Sequence, residues 1–365
     1  MRRHSYKYLF LLNIVFVLAV TVVCVAIQTD REENRTAGAS ITTPLIYADS
    51  LSAPFCQRAG GAVLIDAKSG AVLFEKNAQK RFPMASTTKI MTALVVIENS
   101  SPDDVITVSK DAAGIEGSSI YLVESERITV RDLLYGLLLE SGNDAAEALA
   151  IGVFGSSEKC VEAMNEKCKS LGLLDTHFDN AHGLDSDKHY TTPYELAYIT
   201  KHAMENDLFR SIVSAKSYVT SGEKTRYFSN HNRLLNMYSP AVGVKTGYTS
   251  KSGRCLVSAG ELDGEEYIAV TLNDPLDWQD HKDMLSFAFE NFRSYEIADK
   301  NSFCLRIGFD DYVSAENVYI TTTKGEEFTL NYKITIEKGA GCVHYSSGNM
   351  SLGNFGIEKV NEKAL

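Results

Sequence analysis

Shortly after Pro83 the chain reads Ser86-Thr87-Thr88-Lys89-Ile90-Met91-Thr92-Ala93-Leu94-Val95-Val96-Ile97. Apolar density over this length suits a buried helix rather than a surface one, with Ser86 at its start. Residues three apart share a helix face, so the Lys89 ammonium approaches the Ser86 hydroxyl. A serine is a poor nucleophile until something removes its proton. A lysine does this only when burial and nearby positive charge lower its pKa. Oriented N–H groups at a helix start also favour negative charge developing beside Ser86. Alone the pattern is weak: Ser-x-x-Lys recurs at Ser156/Lys159 and Ser221/Lys224, and a helix cap followed by a surface lysine looks the same.

Upstream, the apolar runs Gly61 to Asp66 and Ala71 to Glu75 flank Ala67-Lys68-Ser69-Gly70 and predict a hairpin that begins a sheet. Downstream, Thr129 with Asp132 forms a capping-box pattern for a helix through Leu133, Leu134, Leu137, Leu138 and Leu139. That helix stops at Ser141-Gly142-Asn143. Thr192-Pro193-Tyr194-Glu195 starts another, with proline in the first helical position. Strands return at Val242 to Thr246, Cys255 to Ala259 and Tyr267 to Leu272, and a helix from His281 to Tyr295 closes this part. Beyond it, Asn317 to Thr322 and Phe328 to Ile336 alternate with strand period, joined through Lys324-Gly325. The fold class is α+β: an antiparallel sheet flanked by helices, then a small all-β domain.

The 365 residues are 44% hydrophobic and 23% charged, an ordinary globular composition with room for two domains. The first 27 differ. Arg2, Arg3 and Lys7 precede an apolar run from Tyr8 to Ile27, an export signal that at ~20 residues also spans a bilayer. Positive charge ahead of the run sends the rest across the membrane. A retained anchor is favoured over cleavage after Ala26. The expected organisation is 1–27 signal or anchor, 28–55 spacer, 56–295 main domain and 296–365 small β domain. Net charge is −11, or −14 without the leader's three cations, which excludes nucleic acid as a partner. Seven scattered cysteines without a CxxC predict no disulfide framework, and the eight histidines show no metal-ligand spacing, so no metal or other cofactor is expected.

Ser86/Lys89, Ser141/Asn143 and Lys245-Thr246-Gly247 fall in that order, on a helix start, a helix-ending turn and a strand. This ordered trio resembles the penicillin-binding and serine β-lactamase superfamily. Longer stretches resemble its low-molecular-mass D-alanyl-D-alanine carboxypeptidases. They include Ala71-Val72-Leu73-Phe74-Glu75-Lys76-Asn77, Gly117-Ser118-Ser119-Ile120-Tyr121-Leu122, Leu133 to Ala146, His182-Gly183-Leu184 and Val244-Lys245-Thr246-Gly247-Tyr248-Thr249.

The resemblance implies hydrolysis of a terminal D-Ala-D-Ala bond in peptidoglycan stem peptides through an acyl-serine on Ser86, with β-lactams as covalent inhibitors. It makes Lys89 the base and Ser141 a proton relay to the departing amine. It gives Asn143 the substrate's amide and Thr246 the terminal carboxylate, with Gly247 letting the peptide approach the strand closely. The oxyanion hole would be the N–H groups of Ser86 and Tyr248, and Tyr248 is a further substrate contact. Two departures stand out. The tail from Gly348 to Leu365 has no strong apolar face for anchoring, which leaves the N-terminal run as the membrane tether. The segment Asn273-Asp274-Pro275-Leu276-Asp277-Trp278 lacks the arginine that some members use for the carboxylate, leaving Arg254 or Arg233 as substitutes. The alternatives are a β-lactamase or transpeptidase of the same fold, or a silent wall-binding scaffold.

Overall fold

The computed structural model describes residues 54–360 except 222–223, 301, 309, 326–328, 338–339 and 348–349. The expected signal or anchor, the spacer through residue 53 and residues 361–365 lie outside the described residues. Among the described residues no helix is long and apolar enough to cross a membrane.

In chain order the first part contains β1 (Gly61–Asp66), β2 (Val72–Lys76), a 3-10 turn (Ala85–Thr88), α1 (Lys89–Asn99), β3 (Val105–Thr107) and β4 (Arg127–Thr129). Helices α2 (Val130–Leu139), α3 (Asn143–Phe154), α4 (Ser157–Ser170), α5 (Pro193–Met204) and α6 (Asp207–Ser214) follow. Next come β5 (Ser217–Val219), β6 (Tyr227–Ser229), α7 (Leu234–Met237), β7 (Ala241–Thr249), β8 (Gly253–Leu262), β9 (Glu265–Leu272) and α8 (Asp277–Asn291). The expected hairpin pairs Ala62 with Lys76 and Leu64 with Phe74. It joins a five-stranded antiparallel sheet in the order β2-β1-β9-β8-β7.

All six residues of β1 are buried, because its alternation feeds two cores rather than one core and solvent. Val63 and Ile65 join the large helical core, whereas Ala62 and Leu64 pack with Met284 and Leu285 of α8 on the other face. Helix α1 runs through the middle of the helical layer, buried from Lys89 to Val96. That is why its sequence lacks a polar face.

Several local expectations shift. Ser86 sits in the 3-10 turn ahead of α1 rather than on its first α-helical turn. Thr129 caps α2 by accepting from Asp132 N at 3.1 Å, but Asp132 does not reach back: its carboxylate takes the Tyr218 hydroxyl at 2.7 Å. Thr192 likewise accepts from Glu195 N at 3.1 Å, and Glu195 turns to Thr176 and Asp175 N. Asn143 opens α3 rather than merely ending α2. The helix expected over His281–Tyr295 is α8, which starts at Asp277 and ends at Asn291, so Phe292 already belongs to a strand.

The C-terminal region is all β: β10 (Phe292–Ala298), β11 (Cys304–Ile307), β12 (Asp310–Ser314), β13 (Val318–Thr323), β14 (Leu330–Glu337), β15 (Ala340–Ser347) and β16 (Met350–Lys359). The two strands expected to be joined through Lys324-Gly325 lie in different sheets. β13 pairs with β10, and β14 pairs with β15 at the edge of the sheet β11-β12-β16-β15-β14. Lys324 explains the divergence: its N–H donates to Asn291 O at 2.7 Å and its ammonium to Phe289 O, tying the end of β13 to the end of α8.

Candidate active site

Ser86 emerges from a turn whose preceding residue, Ala85, holds φ at 49°, a backbone that residues with a Cβ visit rarely. One turn on, Lys89 is 0% exposed. Its ammonium donates to Ser86 Oγ at 3.0 Å, to Asn143 Oδ1 at 2.7 Å and to His182 O at 2.5 Å. Burial pushes the Lys89 pKa well below the ordinary lysine value, and the charge of Lys245 pushes it further the same way.

Lys245 rises from β7, the last strand in the sheet order, and is itself 1% exposed. It donates to Ser141 Oγ at 3.0 Å and to Thr246 O at 2.9 Å, and burial lowers its pKa to about 7. Ser141, between α2 and α3, sits at φ 63°. Two serine–lysine pairs, Ser86 with Lys89 and Ser141 with Lys245, therefore stand at one site, close enough for the charge of Lys245 to act on Lys89.

Ser86, Ser141, Thr246, Gly247 and Tyr248 line one cleft of about 380 Å³. Asn143 does not. It is 4% exposed, its Oδ1 accepts from Lys89, and its Nδ2 donates to Glu116 O at 2.6 Å. The side chain expected to take the substrate's amide thus hydrogen-bonds the base and a loop carbonyl in this structure. Gly247 has a packing role besides the expected one: a Cβ there would lie 3.1 Å from Ser86 N, 3.2 Å from Ala85 Cβ and 3.2 Å from Met84 O. The glycine seats β7 against the nucleophile turn. Tyr248 stands 68% exposed at the rim.

The residues that hold these groups have no role in the sequence reading: the stretches with Ser119, Ile120, Asp144 and Gly183 enter it only as carriers of the resemblance, and Arg226 and Glu126 are not singled out. Buried Asp144 accepts from Ser119 Oγ at 2.7 Å, Ile120 N at 3.0 Å and Leu122 N at 3.0 Å, and Asn143 N donates to Ser118 O at 2.7 Å. Arg226 takes the opposite side of that loop, donating to Ile120 O at 2.9 Å and Tyr121 O at 3.2 Å while paired with Glu126. The loop between them brings Ser118 to the cleft. Gly183, at φ 92°, presses on the nucleophile turn so closely that a Cβ would be 2.1 Å from Ala85 O. An acid in a helix's first turn and an isolated His-Gly pair carry no distinctive local signal.

Arg254 and Arg233, the two cations weighed for the carboxylate, both border the cleft. Arg254 is held by Asp277 at 3.0 and 2.8 Å, with its guanidinium 5.7 Å from the Trp278 ring centroid. Among the described residues no group of three or more His, Cys, Asp or Glu side chains is arranged to hold a metal ion.

A family model described as D-alanyl-D-alanine carboxypeptidase matches residues 48–275. The D-alanyl-D-alanine carboxypeptidase DacF of Bacillus subtilis (strain 168) is 32% identical over 286 residues, covering 74% of each chain. A D-alanyl-D-alanine carboxypeptidase of Streptomyces sp. (strain K15) is 36% identical over 256 residues, 65% of this chain and 86% of that one. Among solved structures, penicillin binding protein 5 from Haemophilus influenzae superposes with TM-score 0.73 at 26% identity, over 83% of this chain and 97% of that one. A mutant of the Streptomyces K15 DD-transpeptidase superposes with TM-score 0.61 at 34% identity, over 64% and 98%.

Proposed function

Because the chain belongs to the D-alanyl-D-alanine carboxypeptidase family, and is a serine-type enzyme that removes the terminal D-alanine from peptidoglycan stem peptides, we propose how its own residues carry the reaction. In its neutral form, which burial and the charge of Lys245 favour, Lys89 takes the proton of Ser86 as Oγ attacks the carbonyl carbon of the penultimate D-alanine. The N–H groups of Ser86 and Tyr248 receive the oxyanion. Ser141, hydrogen-bonded to Lys245, delivers a proton to the departing D-alanine nitrogen as the C–N bond breaks. Ser141 recovers a proton from Lys89, which is then neutral again. Lys89 next takes a proton from the water that attacks the acyl-serine and returns it to Ser86 Oγ as the acyl–oxygen bond breaks, so every group ends as it began.

Thr246, Lys245 and Arg254 hold the terminal carboxylate, with Arg254 supplying the cation that Asn273 to Asp280 lacks. Asn143 acts first on the enzyme side, as the acceptor that aims the Lys89 ammonium. The observation that carries this assignment is the fully buried Lys89 ammonium 3.0 Å from Ser86 Oγ.

Labelling the purified protein with fluorescent penicillin, beside a Ser86→Ala control, tests it together with release of D-alanine from a peptide ending in D-Ala-D-Ala. A stable label and D-alanine release, both lost in the control, support the assignment. A label that survives Ser86→Ala overturns it. Because one similar structure is that of a DD-transpeptidase, a second run with an added amine acceptor measures how the acyl group divides between water and amine.

The enzyme acts outside the cytoplasm. The finer proposal is that residues 8–27 remain as a membrane anchor, supported by three cations ahead of a run that is apolar apart from Asn13 and Thr21. N-terminal sequencing of protein from membrane and culture fractions decides it: an intact N-terminus in the membrane supports an anchor, and a shortened one in the medium supports a cleaved signal.

A further inference from the structure

The left-handed Ala85 has to be held in place, and the structure shows what holds it. Thr88 Oγ1 donates to Ala85 O at 2.7 Å and lies 2.6 Å from His189 Nε2. His189 Nδ1 accepts from Asp179 N at 3.1 Å. A neutral imidazole whose Nδ1 accepts carries its hydrogen on Nε2, so Nε2–H donates to Thr88 Oγ1 and leaves the hydroxyl hydrogen for Ala85 O. Thr88 is 0% and His189 3% exposed, so neither competes with water for these bonds. Burial, with His182 nearby, lowers the His189 pKa to about 4 and keeps the ring neutral. A hydroxyl bonding back three residues is ordinary at a helix start. A buried imidazole dedicated to orienting that hydroxyl is not.

The consequence follows from peptide geometry. The Ala85 carbonyl and the Ser86 N–H belong to one planar trans peptide group and point in opposite directions. Fixing Ala85 O on the Thr88 side therefore fixes Ser86 N–H on the other side, where β7 passes at Gly247. We infer that His189, acting through Thr88, is a positioning residue that aims the Ser86 N–H at the developing oxyanion. The inference rests on the assignment of Ser86 as nucleophile and of its N–H as an oxyanion donor.

The test is stopped-flow acylation by a fluorescent penicillin, separating the limiting acylation rate from the dissociation constant of the noncovalent complex. Thr88→Val, equal in shape but without the hydroxyl, should lower the limiting rate roughly ten- to hundredfold, a part of what losing an oxyanion donor outright costs. The noncovalent dissociation constant should stay within about twofold, since the ground-state carbonyl makes little use of that donor. Thr88→Ser should regain most of the lost rate. His189→Gln, which keeps a donor near the Nε2 position, should exceed His189→Phe. An unchanged limiting rate in Thr88→Val, or a loss carried only by the dissociation constant, overturns the inference. If His189→Phe fails to fold, Thr88→Val and Thr88→Ser decide alone. A label that persists in Ser86→Ala would instead show that the nucleophile assignment itself had failed.

Discussion

Lys245 Nζ lies 3.0 Å from Ser141 Oγ although the two residues are 104 positions apart in the chain. This contact links the loop after α2 to the edge strand, and in the proposed reaction it gives the leaving group its proton.

Residues that act as one relay are not additive. Ser141→Ala and Lys245→Ala should each lower the acylation rate by roughly a hundredfold, the scale of a lost general acid. The double variant should lose less than about tenfold more. Pre-steady-state acylation of all four proteins measures this, and a double loss equal to the product of the single losses would show that the two groups work independently.

The two lysines also predict a bell-shaped pH profile of kcat/KM. Lys89 must be neutral to accept the Ser86 proton, so the rate rises with pH as Lys89 deprotonates, below the ordinary lysine range. Lys245 must be charged to hold the carboxylate, so the rate falls as pH passes its value of about 7. A guanidinium keeps its proton at any working pH, so Lys245→Arg should retain the acid limb and lose the alkaline one. An alkaline limb that persists in Lys245→Arg would assign it to another group.

Arg254, presented to the cleft by Asp277, should matter only for substrates that end in a carboxylate. Arg254→Gln should raise KM about tenfold for such a peptide, the scale of a partly exposed charge-assisted hydrogen bond. It should leave hydrolysis of the same peptide with an amidated end within about twofold. Equal losses on the two substrates would remove Arg254 from carboxylate recognition.

Gly183→Ala forces a Cβ to within 2.1 Å of Ala85 O at a φ of 92°, so the nucleophile turn has to move. Penicillin labelling should fall sharply, and urea unfolding should show a stability loss of roughly 1–3 kcal/mol from the strained backbone. A fully active, fully stable Gly183→Ala protein would mean that the turn is softer than its packing implies.

His281 sits 0% exposed between Ser258 Oγ and Thr271 Oγ1, and burial lowers its pKa from 6.5 to about 3. Between those values the unfolded chain binds a proton that the folded protein refuses. Stability is therefore full above pH 6.5 and falls with acidification by up to about 1.4 kcal/mol per pH unit for this residue. His182 and His189, each lowered to about 4, act in the same sense. Urea midpoints from pH 7 to pH 4 should drop steeply and less steeply in His281→Gln, while an unchanged slope would place the acid sensitivity elsewhere.

The strands β1, β2 and β7 to β9, the buried helix α1 and the caps at Thr129 and Thr192 were legible in the sequence, because burial and backbone period leave a local signature. So was the order of the three motifs. The interdomain course of the chain was less so: nothing in Lys324-Gly325 says that its backbone bonds to Asn291 rather than turning a hairpin.

Ser86 beside Lys89 follows from helical spacing and was determined by sequence alone. That Lys89 also donates to Asn143, that Lys245 reaches Ser141, and that Gly247 and Gly183 press on the nucleophile turn were decided by tertiary structure. The same holds for His189, which meets Thr88 across 101 residues of chain. Such pairings depend on sheet register and on how loops cross, and a side chain's partner at long range leaves no periodic trace in the chain that encodes it.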